Sequence, residues 1–337
     1  MTQRVFFFDL LRCVAAVAVV AIHVLAPYRE LLGVIPFDQW STAVGINSFS
    51  RWAVPVFIMV SGALFLSDTR PFDTHYYLKR RVAKVVVPFV VWSLFYAYLS
   101  GWSASGFDAE TSYQVLSDFF HHETYYHLGF FYYFIPLYFV IPFLQYLVKV
   151  SDSVSLYALI SLWLLTTAFY LFGVSGPWSN QIYLYSGYLL LGYLCYQRME
   201  VTSNIALSVF IIGMVSLAVT ALMVMMGSVE AKHYTFGLWL SYKTLNTALA
   251  AMMVFILCRY FADRLSGKTV AIVSFISRYS LGIYLLHPVF LWPMKAYGWH
   301  QGHPIWVIPL WVVLSGGGAL ALSWLLARSA KTRWLLP

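Results

Sequence analysis

Residues 6–24 read FFFDLLRCVAAVAVVAIHV, a stretch that is long and apolar enough to cross a membrane. The same stretch carries three ionisable side chains, Asp9, Arg12 and His23. Ionisable residues inside a bilayer are costly and rare, and they usually mark a functional site. The segment therefore indicates a membrane fold and also a first place to look for chemistry.

The composition of the whole chain agrees with a membrane protein. Of its 337 residues, 61% are hydrophobic and 10% are charged, and the mean hydropathy is +0.73. These values lie well outside the range of ordinary soluble proteins. No block of basic residues resembles a nucleic-acid-binding arm, so we expect membrane lipids and no nucleic acid as partners.

About 20 apolar residues cross a bilayer, and this length divides the chain into ten predicted spans. The loops are short, and no internal repeat is evident. We therefore predict one all-α domain over residues 1–337, a polytopic integral membrane helix bundle without an appended soluble domain. The predicted spans are 7–27, 48–67, 82–101, 128–147, 154–173, 182–197, 205–226, 239–258, 271–293 and 304–326.

Lysine and arginine are distributed unevenly between the two sets of span ends. Fifteen lie at one set, which we call the inner end, and only Arg29, Lys232 and Lys295 lie at the other, the outer end. The positive-inside rule assigns the inner end to the cytoplasm. With an even number of spans, both termini are then predicted to be cytoplasmic.

The first span places its polar residues on one face. Arg12 and His23 are eleven residues apart. In a helix, eleven residues bring the side chains back to within roughly 20° of the same face, with a rise of ~16 Å. Asp9 is three residues before Arg12 and is placed to form an ion pair with it. A polar seam that joins helices is the alternative interpretation.

The second span contains the sequence NSFSRWAVPVFIMVSGALFLSD, residues 47–68. Arg51 is predicted to lie near the depth of His23, unless its side chain extends outward to the interface. Ser61 and Gly62 form a small-residue step that is typical of close helix packing. No base lies near Ser61 in the sequence, so we do not predict that it is a nucleophile.

A basic cluster, YYLKRRVAKVVVP at residues 76–88, begins the third span. Anchoring at the inner interface or contact with lipid headgroups explains such a cluster without a substrate. The functional alternative is a phosphate clamp that includes Arg80, Arg81 and Lys84, because arginine forks and lysine point charges both bind phosphate.

The outer loop reads FFHHETYYHLGFFYYF at residues 119–134. His122, Glu123 and His127 have one residue too many for the helical zinc-binding pattern, so we expect no metal site. His127 lies among tyrosines at the start of the fourth span. This setting suits an interfacial residue or one that contacts a sugar.

A late segment, FISRYSLGIYLLHPVFLW at residues 275–292, is the last polar motif. Arg278 lies toward the inner end, whereas Tyr284 and His287 lie toward the middle and the outer half. Because Pro288 follows His287, a broken helix that aims polar groups into a cavity is one possibility. Lys243, which we predict on the eighth span, could face the same cavity.

Four blocks together resemble the acyltransferase-3 family of integral membrane acyltransferases. They are the Arg12 and His23 spacing with Asp9 before it, NSFSRWAVPVFIMVSG, YHLGFFYYFIPLYFVIPFLQ and ISRYSLGIYLLHP, in that order across nearly the whole chain. The chain departs from the family at Gly129, where tryptophan is usual. Arg81 with Lys84 also stands where two arginines are common.

The resemblance implies an acyl-CoA donor that enters from the cytosol, an acceptor hydroxyl on a glycan and a bacterial inner membrane. Acetyl-CoA is then the expected donor substrate, and no permanently bound cofactor is expected. His23 is the expected general base or acetyl carrier, because histidine titrates near neutral pH. The remaining expected roles are Arg12 and Asp9 in catalysis, Arg80, Arg81, Lys84, Ser61 and Arg278 in donor binding, and Arg51, His127, Lys243, Tyr284 and His287 in acceptor binding.

A transporter is the alternative from another functional class. Buried charges such as Arg12, His23 and Arg51 can also line a proton-coupled path for a polysaccharide precursor or a small solute. The absence of an inverted repeat argues against it. The sequence leaves open the sugar, the acyl group, the oligomeric state and the choice between direct transfer and an acetyl-histidine intermediate.

Overall fold

The computed structural model describes residues 5–336 and consists almost entirely of helices; Arg4, which the charge count includes, lies outside this range. Its α-helices are α1 Phe6–Val24, α2 Ala26–Arg29, α3 Phe37–Ser50, α4 Ala53–Leu66, α5 Thr74–Tyr77, α6 Ala83–Ser100, α7 Ala109–Ser117, α8 Gly129–Val150, α9 Ser153–Leu171, α10 Gln181–Tyr193, α11 Ser203–Ala231, α12 Leu245–Ala262, α13 Gly267–Arg278, α14 Ser280–Ala296 and α15 Pro304–Arg328. The other elements are π-helical turns at Leu78–Val82 and Leu194–Arg198, 3-10 turns at Pro177–Ser179 and Arg333–Leu335, and a hairpin of β1 Trp102–Ser103 and β2 Gly106–Phe107.

Within residues 5–336, eight helices are long and apolar enough to cross a membrane, and a bent pair raises the number to nine. The bent pair is α13 with α14, which meet at 70°. Residue Tyr279 lies between the two helices, inside the ninth predicted span. The all-α prediction is confirmed, and the predicted number of spans is close.

The sixth predicted span, 182–197, is helical but is not among those apolar helices. It forms α10 and the π-helical turn after it, and most of its side chains are buried inside the bundle. A methyl group at Gly62 would lie 2.1 Å from the backbone oxygen of Leu189, so α4 and α10 touch backbone to backbone. A helix that packs inside protein in this way can carry tyrosines that a lipid-facing helix would not.

The bundle is arranged around α1. Of the apolar stretch in α1, 72% is buried, whereas the corresponding value for α15 is 17%. α1 contacts α4, α12, α13, α14 and α15, and α15 lies at the periphery. The helix with the three ionisable residues is therefore the central helix of the fold.

Candidate active site

An inner cavity of about 370 Å³ lies where the basic cluster meets α1. The side chains that line it include Arg12, Arg80, Arg81 and Lys84, together with Ser61. The cluster falls on the π-helical turn Leu78–Val82 and the start of α6, and π-helical turns are frequent at functional sites. Four cations thus line one space, which is what a phosphate-binding site needs.

A middle cavity of about 160 Å³ adjoins the inner cavity. Arg12, Ser61 and Leu281 line both spaces. The other residues of the middle cavity are largely apolar, and they come from α4, α8 and α14. Ser61 donates a hydrogen bond of 3.0 Å to the backbone oxygen of Phe57, which agrees with a packing role for the Ser61–Gly62 step.

An outer cavity of about 450 Å³ follows the middle one, and Val54, Phe130 and Tyr284 line both. Six tyrosines line the outer cavity: Tyr126, Tyr132, Tyr133, Tyr185, Tyr242 and Tyr284. Its other polar residues are His23, His121, Glu123, His127 and Gln181. Arg12 and His23 therefore line opposite ends of one row of cavities, as their spacing on one face predicts.

His23 forms a hydrogen bond with a second histidine. Its Nδ1 lies 2.8 Å from Nε2 of His287, and the two rings are stacked with centroids 5.0 Å apart. Nδ1 of His287 lies 3.0 Å from the backbone oxygen of Ile283. A carbonyl oxygen only accepts, so Nδ1 of His287 carries a proton.

These bonds define the tautomer of His23. His287 is fully buried, and no carboxylate contacts it among residues 5–336, so we take its ring to be neutral. Its Nε2 is then an acceptor, and Nδ1 of His23 must be the donor. Nε2 of His23 therefore has a free lone pair. Among the ring nitrogens of His23 and His287, it is the one that can accept a proton.

Asp9 is bonded mainly to α13. Its carboxylate accepts hydrogen bonds from Ser277 at 2.8 Å and from Ser274 at 3.2 Å. The expected ion pair with Arg12 is present at 3.9 Å between Nη1 and Oδ1. Asp9 therefore fixes α1 against α13 and also places a negative charge beside Arg12.

His127 lies beside the histidine pair. Its ring is 5.7 Å from that of His287, and the hydroxyl of Tyr284 donates to the backbone oxygen of His127. Neither ring nitrogen of His127 has a hydrogen-bond partner among the described residues, although the side chain is 2% exposed. Burial holds the pKa of the His127 imidazole well below its usual value, so the ring is neutral, with one donor and one acceptor nitrogen.

A family model described as an acyltransferase domain matches residues 5–328, which is nearly the whole chain. The chain belongs to the acyltransferase-3 family. No curated protein and no solved structure matches it. The family assignment makes the chain a membrane acyltransferase, with a row of cavities along its central helix.

Four residues expected to bind substrates in this acyltransferase, Arg51, Arg278, Lys243 and His287, do not line the three cavities, and His287 instead contacts His23. Arg51 follows α3, donates to the backbone oxygen of Leu240 at 2.9 Å and lies over the ring of Tyr242 at 4.5 Å, so it supports a cavity wall from behind. Arg278 is exposed at the end of α13. For both residues, a role in substrate binding stays a prediction.

The predicted position of Lys243 on a helix is wrong. Residues 239–244 form turns, and α12 begins only at Leu245. The Lys243 ammonium lies 4.8 Å from the ring centre of Tyr170, and Lys243 does not line the outer cavity. The preceding Ser241 accepts hydrogen bonds from Thr244 and Thr247, which holds the chain in a turn before the helix begins.

Sequence reasoning missed several residues of the acyltransferase's outer cavity. Gln181 and Tyr185 come from α10, and Tyr242 comes from the turn before α12. No motif marks them in the sequence. As for metals, the described residues contain no group of three or more His, Cys, Asp or Glu side chains that could hold an ion.

Proposed function

We propose that this acyltransferase moves an acetyl group from acetyl-CoA, bound at the inner end, to a hydroxyl of a glycan bound at the outer end. The observation that carries the proposal is the row of three cavities, because it joins a cation-lined space to one lined by tyrosine and histidine. Cations suit the phosphates of a nucleotide, and aromatic faces with hydroxyls suit a sugar.

In the proposed reaction, Nε2 of His23 removes the proton from the acceptor hydroxyl. The hydroxyl oxygen attacks the thioester carbonyl, the carbon–sulfur bond breaks, and His23 returns the proton to the sulfur to release CoA. His287 keeps Nδ1 of His23 protonated and so directs Nε2 to the reaction. Arg12, with Asp9 beside it, positions the donor below His23.

A covalent route uses the same atom of His23. Nε2 attacks the thioester carbonyl, the carbon–sulfur bond breaks, and CoA leaves as a thiolate that takes a proton from water. The acceptor hydroxyl then attacks the acetyl group, the carbon–nitrogen bond breaks, and the hydroxyl proton passes to water. The hydrogen bond to His287 serves both routes, because both need the lone pair on Nε2. Acetyl-histidine in enzyme quenched without acceptor would distinguish the covalent route from direct transfer.

The proposed acceptor is a cell-surface polysaccharide or its lipid-linked precursor, in the inner membrane of a bacterium. Within the family, the sequence resembles the O-acetyltransferase that modifies enterobacterial common antigen, and this likeness supports an acceptor of that class. The predicted orientation supports the same arrangement, because the tyrosine-lined cavity is then nearer to the outer face.

The test uses the purified full chain in lipid nanodiscs, with labelled acetyl-CoA and glycan extracted from cells that lack the gene. We expect labelled glycan and an equal amount of free CoA. His23→Ala should lower the rate at least ~1000-fold, because it removes the base or the acetyl carrier. His233→Ala is the matched control, because His233 is exposed in a distant turn.

Two results would contradict the proposal. Full transfer by well-folded His23→Ala protein excludes both routes through His23. Wild-type protein that neither binds acetyl-CoA nor releases CoA would favour a transporter that uses the same cavities.

A further inference from the structure

Gly129, where the family usually has tryptophan, opens onto the outer cavity. Gly129 is the first residue of α8 and lines this cavity together with Glu123. A methyl group built on Gly129 would lie 3.5 Å from the carboxyl carbon of Glu123 and 3.6 Å from its Oε1. The carboxylate thus occupies space beside a residue that has no side chain.

Hydrogen bonds hold the loop backbone next to Glu123, whose own side chain is exposed. The hydroxyl of Tyr132 on α8 donates to the backbone oxygens of Phe119 and His122, and the second of these bonds is 2.9 Å long. His121 and His122 pair with Asp118 and not with Glu123.

The Glu123 carboxylate has no hydrogen bond or ion pair within the described part of the chain. Lysine and arginine are also absent from the described residues that line the outer cavity. An ionised carboxylate without an internal partner can accept hydrogen bonds from a ligand at each oxygen. The cavity therefore contains one strong acceptor group that neither the fold nor the proposed acetyl transfer uses.

We propose that Glu123, in the space that Gly129 leaves, is the recognition site for the acceptor sugar. This inference rests on the proposed function. The ligand class is a neutral sugar ring that presents adjacent hydroxyls or an amide N–H to the carboxylate. An acceptor with a phosphate or carboxylate group at that position would be repelled, so the site selects the part of the glycan that enters.

The ring faces of the outer cavity fit the same ligand. Tyr133 and Tyr185 are stacked with centroids 4.2 Å apart, and both line this cavity. Gln181 adds an amide that can donate and accept. A sugar ring packs its apolar face on aromatic rings and directs its hydroxyls to polar groups at the edge, which is the role we assign to Glu123.

The experiment measures kcat, KM for the extracted glycan and KM for acetyl-CoA with the full chain in nanodiscs. Glu123→Gln keeps the shape and removes the charge. We expect KM for the glycan to rise about 10-fold, since a hydrogen bond to a charged group is exchanged for a neutral one. KM for acetyl-CoA should not change. Glu110→Gln, on the nearby α7 and outside the lining of the cavity, is the matched control.

Gly129 provides a second test that does not alter the carboxylate itself. Gly129→Ala adds a group at ordinary contact distance and should leave KM for the glycan within about twofold. Gly129→Trp fills the space and should raise KM for the glycan at least as much as Glu123→Gln does. Thermal unfolding of each variant separates these effects from a structural role at the beginning of α8.

The outcomes distinguish the inference from the proposed function. If wild-type protein transfers acetyl groups but Glu123→Gln leaves KM for the glycan unchanged, the inference alone is wrong. Equal increases in both KM values, or a loss of thermal stability without a change in KM, would also overturn it. If wild-type protein transfers no acetyl group to the glycan, the proposed function fails and the inference fails with it.

Discussion

The inner and the outer cavity lie along the same helix, yet their walls have opposite character. Four cations line the inner cavity, whereas six tyrosines and three histidines line the outer one, with no lysine or arginine among the described residues there. The inner cavity suits a ligand that carries several phosphates, and the outer one suits a ligand with many hydroxyls. We propose from this difference that each substrate has its own entrance and that the substrates meet near His23.

A large effect is expected from His287→Phe, which changes the partner of the outer-cavity residue His23. This change removes the acceptor for Nδ1–H of His23. The His23 ring can then carry its proton on Nε2 and no longer act as a base there, so kcat should fall about 100-fold. KM for acetyl-CoA should remain near the wild-type value, because His287 lies outside the inner cavity. A variant with wild-type kcat would show that the histidine pair is only a packing contact.

A smaller effect is expected at the inner cavity, from Arg80→Gln combined with Arg81→Gln. Removing two cations should raise KM for acetyl-CoA about 10- to 100-fold and make it less sensitive to salt. KM for the glycan should stay the same. Lys149→Gln, a cation at the inner end of α8 and outside this cavity, is the control. Equal increases in KM for acetyl-CoA and in KM for the glycan would contradict the division into two sites.

The smallest effect is expected from Ser277→Ala at the boundary between α1 and α13. The change removes one hydrogen bond to Asp9, worth about 1 kcal/mol, while Ser274 and Arg12 still contact the carboxylate. We expect a decrease in kcat/KM for acetyl-CoA of about fivefold at most and no change in KM for the glycan. An increase in KM for the glycan, with kcat/KM for acetyl-CoA unchanged, would mean that Asp9 does not act through Arg12.

The sequence predicts the fold class and the polar stripe of α1, because length, hydropathy and helical period are local properties. The break it suggests after His287 is wrong in position, because α14 continues through Pro288 and the bend lies at Tyr279. The sequence cannot predict the bond between His23 and His287, which are 264 residues apart and meet only through the packing of α1 against α14. The 70° angle at Tyr279 is part of that packing, and no local pattern gives its size.

Two other features depend on tertiary structure in the same way. The sequence predicts a span at 182–197, but not that α10 packs inside the bundle and supplies Gln181 and Tyr185 to the outer cavity, because that burial depends on its contact with α4. Lys243 shows an error of local structure. An apolar window predicts a helix around it, but the hydrogen bonds of Ser241 hold the residues before Leu245 in a turn.

We propose that acetyl-CoA and the glycan approach His23 from opposite ends. Acetyl transfer in proteoliposomes of uniform orientation, with labelled acetyl-CoA on one side and the extracted glycan on the other, measures this. We expect labelled glycan only when acetyl-CoA is at the inner end and glycan at the outer end, and none with His23→Ala. Transfer that requires both substrates on the same side would contradict it.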